Sequence, residues 1–184
     1  MSIIDFDQIV DLQLRNIDEF GTDDVIRLQK LADERPNDWE TLFDLAMAYK
    51  QMALNRNMLL CQKAECQLPE DAEEIPQVDL SSTRPVFEKA LACFEKARQL
   101  NPDIYGVDLQ LGVIYGNLGD TDKAIASYKR AIDDDPEDFA SLYYLGITYK
   151  DLGRIEEARS YLLKAKEINP EDEMLNEDLA ELEK

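Results

Sequence analysis

Apolar residues recur along this chain at the spacing of one helix face. Phe6, Ile9, Val10, Ile17 and Phe20 keep that period, since residues three, four and seven apart share a side of an α-helix. Asp5 stands where a helix cap is wanted, and Gly21 ends the pattern. Thr22 or Asp23 can cap a second helix carrying Val25, Leu28, Leu31 and Ala32, which stops before Pro36. A third begins near Trp39 and is unusually long: from Lys50 to Leu68 there is no Gly or Pro, and Met52, Leu54, Met58, Leu59, Leu60, Ala64 and Leu68 keep it helical and largely apolar. Pro69 to Ser82 then carries Glu70, Asp71, Glu73, Glu74 and Asp79, no basic residue, and Pro76. Such a segment predicts an exposed loop. Ser81 or Ser82 is placed to cap the returning helix, and Pro85 suits its first turn.

Downstream the pattern becomes periodic on a larger scale. Tyr105–Asp138 and Phe139–Asp172 are copies of one another, pairing Leu111 with Leu145, Gly112 with Gly146, Tyr115 with Tyr149, Leu118-Gly119 with Leu152-Gly153, Ala124 with Ala158, and Ala131 with Ala165. A self-match of this kind is the signature of a repeat architecture. Leu, a small residue and an aromatic at 111, 112 and 115 fall on one helix face; Ala124, Tyr128 and Ala131 form the answering face of a second helix. Leu118-Gly119 turns the chain between them. Asp135-Pro136 and Asn169-Pro170 end the second helix, because the residue before proline is pushed out of the helical region. Each copy is therefore a helical hairpin. Pro36, Asp38, Leu42, Leu45, Tyr49 and Lys50 recur as Pro136, Asp138, Leu142, Leu145, Tyr149 and Lys150, with Ala46 in place of Gly146. The answering helix of that earlier repeat, Ala90, Phe94, Ala97 and Pro102, is displaced by an insertion at about 55–83.

This pattern resembles the tetratricopeptide repeat family, whose signature runs large apolar, x2-L-G-x2-Y, A-x3-F, A and P. Leu142, Leu145-Gly146, Tyr149, Ala158, Leu162, Ala165 and Pro170 fit it throughout; the preceding copy departs from it only at Asp108. The resemblance implies an all-α fold, a right-handed α-solenoid of helical hairpins in one domain. Residues 1–36 would form an N-terminal capping hairpin, 39–104 a repeat with the insertion, 105–138 and 139–172 regular repeats, and 173–184 a C-terminal capping helix with Leu175, Leu179 and Leu182 inward and its charges outward.

Composition narrows the function. Forty acidic against twenty basic residues give a net charge of −20, which repels nucleic acid and anionic membranes and favours a basic or neutral partner. No basic leader or apolar stretch of about eighteen residues occurs, so a soluble, cytoplasmic protein is expected. Three cysteines, an odd number, suit a reducing compartment. The chain has no histidine, which removes the usual general base and metal ligand. Cys61 and Cys66 do not share a helix face, and Cys93 falls among core positions, so buried thiols are expected and no zinc site. Asp133-Asp134-Asp135 and Glu70-Asp71 lack the Gly and terminal Glu of a calcium loop, and no glycine-rich phosphate loop occurs. No catalytic residue, cofactor or metal is expected.

The family resemblance instead points to the first helix of each repeat, whose inner face lines a concave groove. Carried onto this sequence, that face comprises Phe43, Met47 and Lys50, then Leu109, Val113 and Asn117, then Tyr143, Ile147 and Lys150. Family members that clamp a chaperone's C-terminal carboxylate place Lys, Asn and Arg there; these residues are mainly apolar or aromatic. The expected function is a non-catalytic adaptor taking a peptide or amphipathic helix of another protein, with apolar residues in the groove and basic ones at an acidic rim. The alternative is a homo-oligomeric scaffold using the same surfaces. The competing expectation is that some of these side chains are buried against the long insertion helix or the terminal helix, since apolar positions at helical spacing are usually core.

Overall fold

The computed structural model describes Leu14, residues 23–66 and residues 79–183. The helix expected over Asp5–Phe20 lies outside the described residues except for Leu14, as does most of the loop expected from Pro69 to Ser82. No strand occurs among the described residues, and the fold is all-α. Two compact units emerge, one up to Asp103 and one from Ile104 to Lys184.

In the first unit, α1 (Asp23–Glu34) precedes α2 (Trp39–Cys66), a single 3₁₀ turn (Ser81–Thr83) and α3 (Arg84–Leu100). Pro36 and the Asp38 turn separate α1 from α2: the Asp38 N–H donates to the Arg35 carbonyl at 3.1 Å. The Asp38 carboxylate at the head of α2 accepts from the buried Thr41 hydroxyl at 2.6 Å. The α2 helix runs on to Cys66 as its lack of helix breakers requires, about 42 Å at 1.5 Å per residue. Its first part packs the core through Leu42, Leu45, Ala46 and Tyr49, against Phe87, Ala90, Phe94 and Ala97 of α3. Beyond Tyr49 the same helix still buries Ala53 and Leu59, the latter clustered with Leu14 and Leu60. Neither Ser81 nor Ser82 caps α3. Instead the Ser81 N–H donates to the Asp79 carboxylate at 2.9 Å and the Thr83 hydroxyl donates to the Leu80 carbonyl at 2.6 Å, a 3₁₀ turn leading into Arg84 and Pro85.

The second unit contains α4 (Val107–Asn117), α5 (Thr121–Asp134), α6 (Phe139–Asp151), α7 (Ile155–Ile168) and α8 (Glu173–Glu181). Its two hairpins close alike. Gly119 and Gly153 hold φ of 79° and 69°, a left-handed conformation that only glycine adopts cheaply. Each ends its helix with paired hydrogen bonds: the Gly119 and Asp120 N–H groups reach the Gly116 and Tyr115 carbonyls, and those of Gly153 and Arg154 reach the Lys150 and Tyr149 carbonyls. Within each hairpin the paired glycines let the second helix in. A Cβ built on Gly112 would stand 2.4 Å from Cε1 of Tyr128, and one on Gly146 would stand 2.6 Å from Cδ2 of Leu162. Both partners are buried. Where Ala46 replaces that glycine it is fully buried.

Candidate binding faces of the first helices

The nine residues expected on the inner face divide between the two units. In the first, Phe43, Met47 and Lys50 are all half-buried along α2. Phe43 meets Phe94 of α3 edge to face, with ring centroids 5.2 Å apart, an arrangement that satisfies the ring quadrupoles. Lys50 is shielded enough from water that its pKa falls below the usual lysine value, because desolvation disfavours the ammonium form.

In the second unit, Leu109 and Val113 of α4 are half-buried against the cluster of Ala124, Tyr128, Leu145, Tyr149 and Ala158. Asn117 is exposed, and its amide donates to the Val113 carbonyl at 2.9 Å. On α6, Tyr143 stacks on Phe139 with centroids 6.0 Å apart and planes 4° apart, and it also touches the neighbouring Tyr144. Tyr144 itself is 41% exposed and stacks on Tyr128 of α5 at 5.9 Å.

What the sequence does not announce is how α8 engages α6. Leu175 is fully buried in a cluster with Leu142, Leu162 and Ala165, and Tyr143, Ile147, Leu179 and Leu182 all pack around that cluster. The Tyr143 hydroxyl donates to the Asp178 carboxylate at 2.8 Å. Lys150 Nζ donates to the same carboxylate at 2.7 Å and to Glu181 as well. Arg159 of α7 adds a hydrogen bond at 3.3 Å to the Leu182 carbonyl at the C-terminal end of α8, where a cation suits the helix dipole. The consequences are electrostatic. Hydrogen bonds to Asp178 and then Glu181 hold the Lys150 ammonium well above its ordinary pKa. Burial, followed by the bond to Asp178, pushes the Tyr143 phenol up likewise.

So Tyr143, Ile147 and Lys150 come together as one seat, and its occupant is the chain's own last helix. This corrects one expectation about α8: its charges do not all face outward, since Asp178 points inward with only 19% of its side chain exposed. The signal was present in the sequence as Asp178 and Glu181, three apart on the flank of the Leu175–Leu179–Leu182 stripe, with Lys150 upstream to receive them. A second feature escaped the sequence reading. Each unit has a groove at corresponding repeat positions, lined in one by Ala32, Pro36, Leu42 and Lys96 and in the other by Ile132, Pro136, Leu142 and Lys164.

Among the described residues no group of three or more Cys, Asp or Glu side chains could hold a metal ion, and no helix is long and apolar enough to cross a membrane.

Residues 109–173 match the family model described as tetratricopeptide repeat. Among solved structures, MamA 41-end from Desulfovibrio magneticus RS-1 superimposes with a TM-score of 0.63 at 16% identity, over 98% of this chain and 85% of that one. TTC0263, a tetratricopeptide repeat protein of Thermus thermophilus, gives a TM-score of 0.63 at 23% identity, over 96% and 80%. The second such domain of human RPAP3, solved in complex with the HSP70 peptide SGPTIEEVD, gives a TM-score of 0.50 at 16% identity, over 56% and 86%. No curated protein matches this sequence.

Proposed function

Because the chain is a tetratricopeptide repeat protein, we propose that it is a non-catalytic, cytoplasmic adaptor whose first helices bind a peptide or amphipathic helix of another protein. The observation that carries this reading is the α6 face. Its half-buried aromatic and aliphatic side chains, with a lysine at one end, already hold an amphipathic helix, α8, through an apolar stripe and two polar bonds to Asp178. A surface with that chemistry is a helix receptor, the helix-in-groove mode of peptide recognition. The corresponding positions Leu109 and Val113 on α4, and Phe43 and Met47 on α2, offer the same half-buried apolar material. The peptide-bound state of the human RPAP3 domain lends the reading support by analogy of fold. At the α2 and α4 faces, the net charge of −20 suits a partner with apolar residues flanked by Lys or Arg.

Affinity capture with the intact chain as bait supplies partners, and the affinity of each is then measured against Val113→Ala and Met47→Ala separately. Loss of a few methyl groups from a contact is worth on the order of 1 kcal/mol, about a fivefold weakening. The variant on the face in use should show it while retaining its helicity. If neither variant changes the affinity of any captured partner, the first-helix faces are not the binding surface.

The second reading is self-assembly through the same faces. Sedimentation of the purified chain distinguishes it: a concentration-dependent mass above that of one chain, abolished by Val113→Ala or Met47→Ala, would replace the adaptor reading.

A further inference from the structure

We propose that α8 is a displaceable occupant of the α6 seat, and that what replaces it is an acidic amphipathic helix of a partner protein. The inference rests on reading the first-helix faces as binding surfaces, and it names the partner chemistry that one of them selects.

The argument begins with what the seat demands. Tyr143 and Lys150 present a phenol and an ammonium, both donors, on either side of Ile147. A helix lying there must bring acceptors, and α8 brings them as Asp178 and Glu181, one turn apart. Between the donors the surface is apolar, and α8 answers with Leu175, Leu179 and Leu182. Leu at three- and four-residue spacing with carboxylates three apart on its flank is therefore the pattern that fits. A basic helix would set its cations against Lys150.

Next comes how firmly α8 is held. It has nine residues, below the roughly 12–15 needed for an isolated helix to persist in water, so it exists by virtue of the seat. Leu175 is its one fully buried side chain among the described residues, while Met174 is 66% exposed. Glu173 and Glu177 stand four apart on its exposed side, where like charges repel. Glu181, half of the grip on Lys150, is itself 58% exposed. The α6 helix has thirteen residues, so a partner helix of matching length would gain about a further turn of contact. Because α8 is tethered, it competes at a high effective concentration, and a partner gains from anything that loosens it.

The test uses the full chain and a labelled peptide of residues 170–184 as the acidic-helix probe. The wild-type chain should bind it weakly. Leu175→Ala with Asp178→Ala, which loosens the resident helix, should bind it about tenfold more tightly. Adding Lys150→Met should remove that gain, and so should a peptide carrying Asp178→Asn and Glu181→Gln. Should the loosened variant lose its fold, hydrogen exchange on the wild-type chain gives an independent reading: excess peptide should strip protection from α8 amides alone among the helices. Peptide binding that leaves α8 protected, or that ignores Lys150→Met, overturns the proposal. So does a loosened variant that doubles in mass by exchanging α8 with a second copy, since the seat would then serve self-assembly. Partner capture that is lost in Val113→Ala while the peptide results fail would leave the adaptor reading standing without the displacement.

Discussion

At the scale of single residues, the fold is written in a few positions where one side chain excludes another. Gly146 is one of them, because Cγ and Cδ2 of the fully buried Leu162 already occupy the space a Cβ would take. Gly146→Leu should therefore overpack the hairpin at a cost of ~1–3 kcal/mol, and calorimetry should show a lowered Tm; an unshifted Tm would mean that the α6–α7 packing is misassigned. Gly112 obeys the same rule against Tyr128, and Ala46 shows that a single methyl is accommodated in the first unit. These positions were legible in the sequence, since a repeat places its small residues where helices cross. The acidic heads of the first helices were legible only as a repeated Pro-x-Asp. Their jobs differ: Asp38 and Asp138 accept from the buried hydroxyls of Thr41 and Ser141, whereas Asp172 accepts from the Leu175 N–H at 2.9 Å. The third is a true N-cap.

At the scale of elements, α8 is where charge and packing meet. Lys150, through its bonds to Asp178 and Glu181, and Tyr143, through burial and then its bond to Asp178, both hold their protons more tightly than the free groups do. Groups whose folded pKa lies above the unfolded value stabilise fully below the unfolded pKa and lose that contribution above it. With unfolded values of about 10, α8 should be equally secure from neutral pH to about 9 and should loosen as pH climbs past 10. Helicity followed by circular dichroism across that alkaline range is the measurement. The wild-type chain should lose a step that Lys150→Met with Tyr143→Phe has already lost at neutral pH; matching alkaline profiles would show that these contacts do not secure α8. Charge also joins α5 to α4, where Arg130 donates to the Asp108 carboxylate at 2.7 Å. The ion pairs of Arg27 with Asp24, Arg84 with Glu88 and Lys123 with Asp120 are all exposed pairs within one helix turn or its cap, and exposed pairs contribute little.

At the scale of the whole molecule, a net charge of −20 spread over 184 residues opposes compaction through self-repulsion. Local pairs too weak to offset this leave the long-range term in control. Raising salt from about 20 mM to about 300 mM shortens the screening length several-fold, so Tm should rise by a few degrees. A fall in Tm would mean that local pairs such as Lys150 with Asp178 dominate, because salt weakens attraction and repulsion alike. The same charge bears on partners: binding through an acidic rim should slow with salt, whereas binding of an acidic helix at the α6 seat should proceed faster once screening relieves the repulsion.

The sequence by itself determined the hairpins. Helical periodicity, the Leu-Gly and Leu-Ala pairs, Gly119, Gly153 and the prolines at 36, 102, 136 and 170 act through neighbours along the chain or one turn away, and such local rules survive translation into a string of letters. The unbroken run from Trp39 to Cys66 was readable for the same reason, since nothing in it can stop a helix. The tertiary structure alone decided which faces are occupied. Tyr143, Ile147 and Lys150 read either as a binding stripe or as positions covered by another helix of the chain, and which of the two holds depends on a helix some thirty residues further on. That helix turned Asp178 inward because two donors waited there, and a buried donor without an acceptor costs more than an acceptor withdrawn from water to meet it. Periodicity names the face of a helix; only packing names what lies across from it.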